Sequence, residues 1–231
     1  MQIVMIKPTG HKNIIASQQR EVSMAAAVDR VLYGAEYSGH SHRVRLLLDM
    51  LGLPYRFESI SAERRRSSEF LALNPLGQVP VLRDGGALIA DSNAILVYLA
   101  LTHDSERRWL PADPLQAAQV QRWLSIAAGE LRHGPGAARL IAQWGLPGDP
   151  ATAAGIAQKL LEFMEGHLKQ SVWLAAEHAT IADLANYAYI AHAREGGVSL
   201  DKFPAILAWL ERIRSLPHFS PMPTLPHPVQ A

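Results

Sequence analysis

The 231-residue sequence predicts an α/β domain followed by an all-helical domain. Three observations carry that prediction. Short apolar runs alternate with helix-period segments as far as about Leu101. After Pro111-Ala112-Asp113-Pro114 the strand signals vanish. From there, long alanine- and leucine-rich segments are punctuated only by glycine and proline. The expected organisation is an N-terminal extension over 1–23, an α/β domain over 24–106, a helical domain over 107–219 and a proline-rich tail over 220–231.

Met1 to Ser23 mixes Lys7, Pro8, Gly10, His11 and Lys12 with short apolar pairs. It lacks the sustained apolar stretch and cleavage site of a secretory signal and reads as a loose extension without a catalytic part. Arg30 to Gly34 is a short apolar strand ending at a glycine. From Ser41 the period changes: Val44, Leu47, Leu48 and Leu51 fall at i, i+3, i+4 and i+7, an amphipathic helix. Gly52 sits at its C′ position, with Pro54 beyond. Tyr55 to Ile60 is a second strand, and Ser67 to Leu73 a helix that must stop before Pro75. Asp84-Gly85 is a hairpin turn between two short apolar runs. Ser92 then caps a helix reaching about Leu101. This β-α-β-α-β-β-α series predicts a right-handed parallel crossover with an antiparallel hairpin at the edge, the pattern of a thioredoxin-like domain.

In the second half, helices break at Gly134-Pro135-Gly136, at Gly145 to Pro150 and at Gly196-Gly197. Thr180-Ile181-Ala182-Asp183 is a capping box opening an apolar helix. Pro204 suits the first turn of the last helix, whose buried stripe is Ile206, Leu207, Leu210 and Ile213. The segment from Pro217 to Ala231 holds five prolines and is expected to be extended or disordered.

Composition removes several function classes. Net charge is +1 with both signs interspersed, which argues against a nucleic-acid or anionic-membrane partner. Cysteine is absent, which rules out disulfides, thiolate metal sites and a protein thiol nucleophile, and fits a reducing cytoplasm. No apolar run approaches bilayer length. The ten histidines form no metal-binding spacing, so no metal is expected.

The chemistry concentrates in Asn74-Pro75-Leu76-Gly77-Gln78-Val79-Pro80-Val81-Leu82 and in Asp91-Ser92-Asn93-Ala94-Ile95. Pro80 lies where the apolar run demands extended structure, yet proline cannot donate to a ladder. It therefore belongs at a strand start, edge or bulge and is a candidate cis bond. An exposed strand edge beside a helix N-terminus is a natural seat for a small peptide carrying a carboxylate. Alone, Asp91-Ser92 reads as a helix cap with a dipole-compensating acid. Beside the proline strand it reads as an anion seat.

Together with Tyr37-Ser38-Gly39-His40-Ser41-His42-Arg43-Val44-Arg45, Leu51 to Tyr55 and the capping box, these strings resemble the soluble glutathione S-transferases, and within them a bacterial-like serine-type member. The resemblance spans roughly Val31 to Phe219. It implies that Gln78, Val79, Pro80, Asp91, Ser92 and His40 bind glutathione as co-substrate. Val79 would pair its backbone with the cysteinyl part, Pro80 would be the cis-proline that permits this, and Asp91 with Ser92 would hold the γ-glutamyl end. Ser38 would donate a hydrogen bond to the sulfur, although it also reads as a loop serine or N-cap. Ser41 could cap the same helix, and Tyr33 is a further candidate that equally reads as core. Arg43 and Arg45 flank the helix start; one could assist an anion, but both read first as a solvated helix face, or Arg45 as a pair with Asp49. Tyr37, Trp123 and Trp144 are the expected lining of the second-substrate pocket.

The implied activity is conjugation of glutathione to small hydrophobic electrophiles, in a cytoplasmic homodimer. Alternatives are a glutathione-dependent disulfide reductase or peroxidase, a glutathione-dependent isomerase or dehalogenase, and a non-catalytic ligand-binding protein. Gly39-His40 stand where isomerase-like relatives carry Ser-Cys, which weakens the isomerase reading.

Overall fold

The computed structural model describes residues 29–223 and residue 225. The expected extension over 1–23 and the domain start at 24 lie outside the described residues, as does most of the tail. The first half contains β1 (Arg30–Gly34), α1 (Gly39–Met50), β2 (Arg56–Ser59), α2 (Ser68–Leu73), β3 (Val81–Asp84), β4 (Ala87–Ala90) and α3 (Ser92–His103). The strands form one sheet in the order β2-β1-β3-β4. β1 and β2 are parallel, and β3 runs antiparallel to both β1 and β4. This is the thioredoxin-like arrangement that the alternation predicts. Strand side chains alternate between faces. Leu32 and Leu82 enter the core with α1 and α3, whereas Tyr33 and Val81 pack with Ile60 and Phe70 on the α2 side.

The second half contains α4 (Pro114–Ala128), α5 (Ala137–Trp144), α6 (Pro150–Leu168), α7 (Ile181–Ala191) and α8 (Pro204–Arg214). Asp113 and Asp149 cap α4 and α6, each followed by a proline in the first turn. α7 is the hub, buried from Ile181 to Ile190. Its capping box forms as expected, with the Asp183 carboxylate accepting from Thr180 N at 2.9 Å. Asp183 also takes Leu174 N at 3.1 Å and Trp209 Nε1 at 2.9 Å. Burial holds its pKa above the ordinary carboxylate value, against the pull of these donors. Among the described residues, no helix is long and apolar enough to cross a membrane.

Four expectations need correcting. α1 is not amphipathic, because α7 covers the side that the sheet leaves free, and Ser41, His42 and Arg43 are buried with Val44, Leu46, Leu47 and Leu48. Gly134-Pro135-Gly136 does not end a helix; it lies in a π-helical turn, Arg132–Gly136, that leads into α5. Glycine is required there, since a Cβ on Gly134 would lie 2.8 Å from Ala157 N. In α8 the buried stripe is Ile206, Trp209, Leu210 and Ile213, with Leu207 facing solvent. Finally, the start of the tail is docked on α1 and α7. Phe219 meets Tyr187 edge-on at 5.5 Å, and Met222 is buried. His42 Nε2 donates to the Ser220 carbonyl at 2.8 Å, and Ser220 Oγ donates to Asp49 Oδ2 at 2.5 Å. Proline content could not foretell these specific bonds.

Candidate active site

Sheet register brings the expected residues to one place. Tyr33 pairs with Val81, and Val81 with Ala90. β1 therefore ends, β3 begins and β4 ends side by side. The loop to Ser38, the Val79-Pro80 step and Asp91-Ser92 all leave the sheet at that end, where α1 and α3 start. The Val79–Pro80 bond is cis. The ladder begins only at Val81, so Val79 stands outside the sheet pairing. The preceding loop is shaped by buried Asn74, whose Nδ2 donates to the Gln78 carbonyl at 2.9 Å and whose Oδ1 accepts from Leu76 N at 3.1 Å. Gln78 itself is exposed.

At the start of α3 the cap is Asp91, not Ser92 as the sequence suggests. Its carboxylate accepts from Asn93 N at 2.9 Å and Ala94 N at 3.0 Å. Asp91 has φ 75°, a conformation that costs a non-glycine residue on the order of 1–3 kcal/mol and gathers at functional sites. Ser92 is the first helical residue and is buried. Its Oγ accepts from Arg43 Nη1 at 3.3 Å and lies 3.4 Å from His40 Nδ1. Arg43 Nη1 also donates to Asn93 Oδ1 at 2.9 Å, and Asn93 Nδ2 to the Leu124 carbonyl of α4 at 2.9 Å. Arg43 is only 1% exposed, so it is no part of a solvated face. Burial pulls its pKa down to about 10, leaving it charged at neutral pH. Arg45 does not pair with Asp49; it meets Glu36 at 3.5 Å and lies over the Phe57 ring.

At the start of α1, half-buried Ser38 is the N-cap, its Oγ accepting from Ser41 N at 3.3 Å. Ser41 is fully buried and its Oγ accepts from Ala35 N at 3.1 Å, so it fastens the loop. Tyr33 packs on the α2 side of the sheet, in the small cluster with Ile60, Phe70 and Val81. Beneath the first turn of α1 lies the Tyr189 ring of α7. A Cβ on Gly39 would come within 3.0 Å of it, and the His40 ring meets it edge-on at 5.1 Å. Burial first, then the charges of Arg43 and Arg132, hold the His40 pKa well below the ordinary histidine value. His40 is therefore neutral at pH 7.

Both halves of the chain match models of one family. Residues 32–107 match "Glutathione S-transferase, N-terminal domain" and residues 149–217 match "Glutathione S-transferase, C-terminal domain". Glutathione S-transferase 3 of Zea mays is 32% identical over 206 residues, spanning 81% of this chain and 90% of its own. The chain belongs to the glutathione S-transferase family. A crystal structure of a glutathione S-transferase from Pseudomonas fluorescens superposes with TM-score 0.78 at 34% identity, covering 84% of this chain and 98% of that one. A glutathione transferase homologue from Drosophila mojavensis, solved with bound glutathione, superposes with TM-score 0.75 at 29% identity, covering 82% and 89%.

In this member of the glutathione S-transferase family, the helical half reaches into the loop that carries Ser38. Arg139, buried on α5, donates from Nη1 to the Tyr37 carbonyl at 2.7 Å and from Nε to Glu195 Oε2 at 2.6 Å. Trp144 covers it, the guanidinium lying 5.0 Å from the ring centre. Tyr37 and Trp144 are thus brought together around Arg139, and Trp144 is 42% exposed. Trp123 does not join them. It is 0% exposed and packs on Phe163 and His167, so it belongs to the helical core and not to a pocket wall. Two cavities lie elsewhere, one of about 590 Å³ by Leu53 and Phe219 and one of about 430 Å³ by Ile141 and Ile156. Neither is lined by Ser38, Val79 or Ser92. Among the described residues, no group of three or more His, Cys, Asp or Glu side chains could hold a metal ion.

Arg43, Tyr189 and Arg139 escaped sequence reasoning. Only Arg43 gave a signal, lying three residues before Leu46 and four before Leu47, on the side of the helix that carries leucines.

Proposed function

We propose that this protein conjugates glutathione to small hydrophobic electrophiles as a serine-type transferase. The observation that supports this most is the meeting, at one end of the sheet, of three groups: the unladdered Val79 backbone, the Asp91-Ser92 helix start and the half-exposed Ser38 hydroxyl. In this reading residues 24–106 form the glutathione-binding domain and 107–219 the helical domain. The tripeptide lies extended along Val79, with Gln78 and Pro80 beside it, and its γ-glutamyl end rests at Asp91 and Ser92.

Ser38 then faces the sulfur. Its Oγ already accepts from Ser41 N, so its own proton is left to donate. A thiol of pKa about 8.5 is only ~3% ionised at pH 7, and lowering that pKa to about 7 takes about 2 kcal/mol of selective anion stabilisation. A hydroxyl donor and the positive end of α1 supply stabilisation of that size. The thiol proton leaves to solvent, the thiolate sulfur bonds to the electrophilic carbon of a second substrate held near Tyr37 and Trp144, and the leaving group departs from that carbon with its electron pair, as chloride does from 1-chloro-2,4-dinitrobenzene. The enzyme binds and orients, without a covalent intermediate of its own. Absence of cysteine supports conjugation over disulfide exchange through a protein mixed disulfide. A cytoplasmic homodimer is part of the same proposal.

Retention on immobilised glutathione, with elution by free glutathione, tests the binding step. Turnover of 1-chloro-2,4-dinitrobenzene, cumene hydroperoxide, 2-hydroxyethyl disulfide and maleylacetone then separates the chemistries. Conjugation of the first substrate is expected to dominate. Failure to bind glutathione at all sinks the reading, and binding without any turnover reduces the protein to a carrier.

A further inference from the structure

The start of α3 has a buried cation behind it that the fold alone does not explain. Arg43 is 1% exposed, yet its Nε and Nη2 find no hydrogen-bond partner among the described residues. It forms no close ion pair there either: the Asp91 carboxylate, whose Oδ1 takes the Asn93 and Ala94 N–H groups, acts on it only from a longer distance. Burying a charge without its opposite is costly unless something charged arrives to meet it.

The donor directions say what that something is. A guanidinium can only donate, so Ser92 Oγ must accept from Nη1, and the Ser92 proton must point to another acceptor. In the protein alone the neutral His40 ring is at hand, its Nδ1 3.4 Å away and an acceptor in the tautomer that keeps the proton on Nε2. A carboxylate at the helix start is the stronger acceptor and takes the proton over. Asn93 is locked the same way: it accepts from Arg43 through Oδ1 and donates through Nδ2 to Leu124.

Resting on the glutathione reading above, we infer that Arg43 is a positioning residue that commits Ser92 to donate and supplies the counter-charge for the α-carboxylate of the γ-glutamyl group. The site therefore selects peptides that carry that carboxylate over peptides that carry only the amine and the thiol.

The test compares glutathione with 4-aminobutyryl-Cys-Gly, which lacks the α-carboxylate alone, by titration calorimetry on the full chain. The wild type is expected to prefer glutathione by about 10- to 100-fold, the strength of a hydrogen bond to a charged group. Arg43→Gln is expected to shrink that preference to about threefold or less, with affinity for the shorter peptide changed less than about twofold. Equal losses for both peptides would make Arg43 a mere scaffold residue, and an unchanged preference would remove it from recognition; either overturns the inference. Arg43→Lys keeps the charge and loses the fork, so its preference is expected to fall by about three- to tenfold. Should Arg43→Gln lack a cooperative melt, that lysine ratio decides, an unchanged value counting against the inference. A wild type that binds both peptides equally sinks the inference alone. A wild type that binds neither sinks the glutathione reading and the inference with it.

Discussion

At the start of α3 the cap is a carboxylate, backed by a chain of side-chain hydrogen bonds. Asp91 holds two backbone N–H groups, Arg43 holds Ser92 and Asn93, and Asn93 holds α4. At the start of α1 the cap is a serine hydroxyl at a long 3.3 Å, half-buried, with its proton to spare. Two helix N-termini a few residues from the same sheet end thus present the same dipole with different finishes. The tightly bonded one suits holding a ligand in one orientation. The loosely finished one suits a group that must adjust as charge develops on a bound atom. On the function proposed above, holding and reacting are divided between two helices, with neighbouring side chains deciding which does which.

The contrast is tested most strongly by acid. Buried histidines lie at the α1 end, and His42 is held at about 4 against an ordinary 6.5, chiefly by burial. Between those values the unfolded chain binds a proton that the folded protein refuses, so stability is full above 6.5 and falls as pH drops toward 4. His42 alone accounts for up to about 3 kcal/mol of that loss. Melting temperatures from pH 7.5 to 4.5 should therefore fall less steeply in His42→Gln than in the wild type. Parallel curves would mean that α1 is not the acid-labile end.

Next in size is Ser38→Ala. Turnover with 1-chloro-2,4-dinitrobenzene should fall about 10²-fold, as when one donor to a developing anion is removed, with glutathione affinity kept within about threefold. Wild-type turnover would take Ser38 out of the mechanism and erase the division between the two helices. Ser41→Ala should instead cost about 1–2 kcal/mol in urea unfolding, because Ala35 N–H loses its acceptor. A turnover loss matching that of Ser38→Ala would reverse the two serines' roles. Smallest is Asp91→Asn. Asparagine caps as well as aspartate and tolerates positive φ, so stability should stay within about 0.5 kcal/mol. A larger loss in the same unfolding assay would show that charge, and not the cap geometry, holds α3.

What the sequence disclosed follows the range of each interaction. The hairpin at Asp84-Gly85, the glycine after α1 and the Thr180 to Asp183 box are local, written within four residues, and each stands where its pattern points. The order of strands and helices was legible for the same reason. The second layer on α1 was not. Periodicity showed one apolar stripe and could not show that α7 covers the rest, so Arg43 read as surface although it is buried. The partners of Arg139 lie 102 and 56 residues away, beyond any spacing rule. Trp123 and Trp144 carry the same side chain on adjoining helices, and only packing separates the core residue from the exposed one.

The bond from Arg139 to the Tyr37 carbonyl bears on how such proteins can be recombined. A hybrid grafting another relative's helical half onto this sheet would exchange more than the wall facing the electrophile. Unless the donor offered an arginine on the matching turn, the strap over the serine loop would vanish, and with the role proposed for Ser38 thiol activation would weaken even toward an unchanged electrophile.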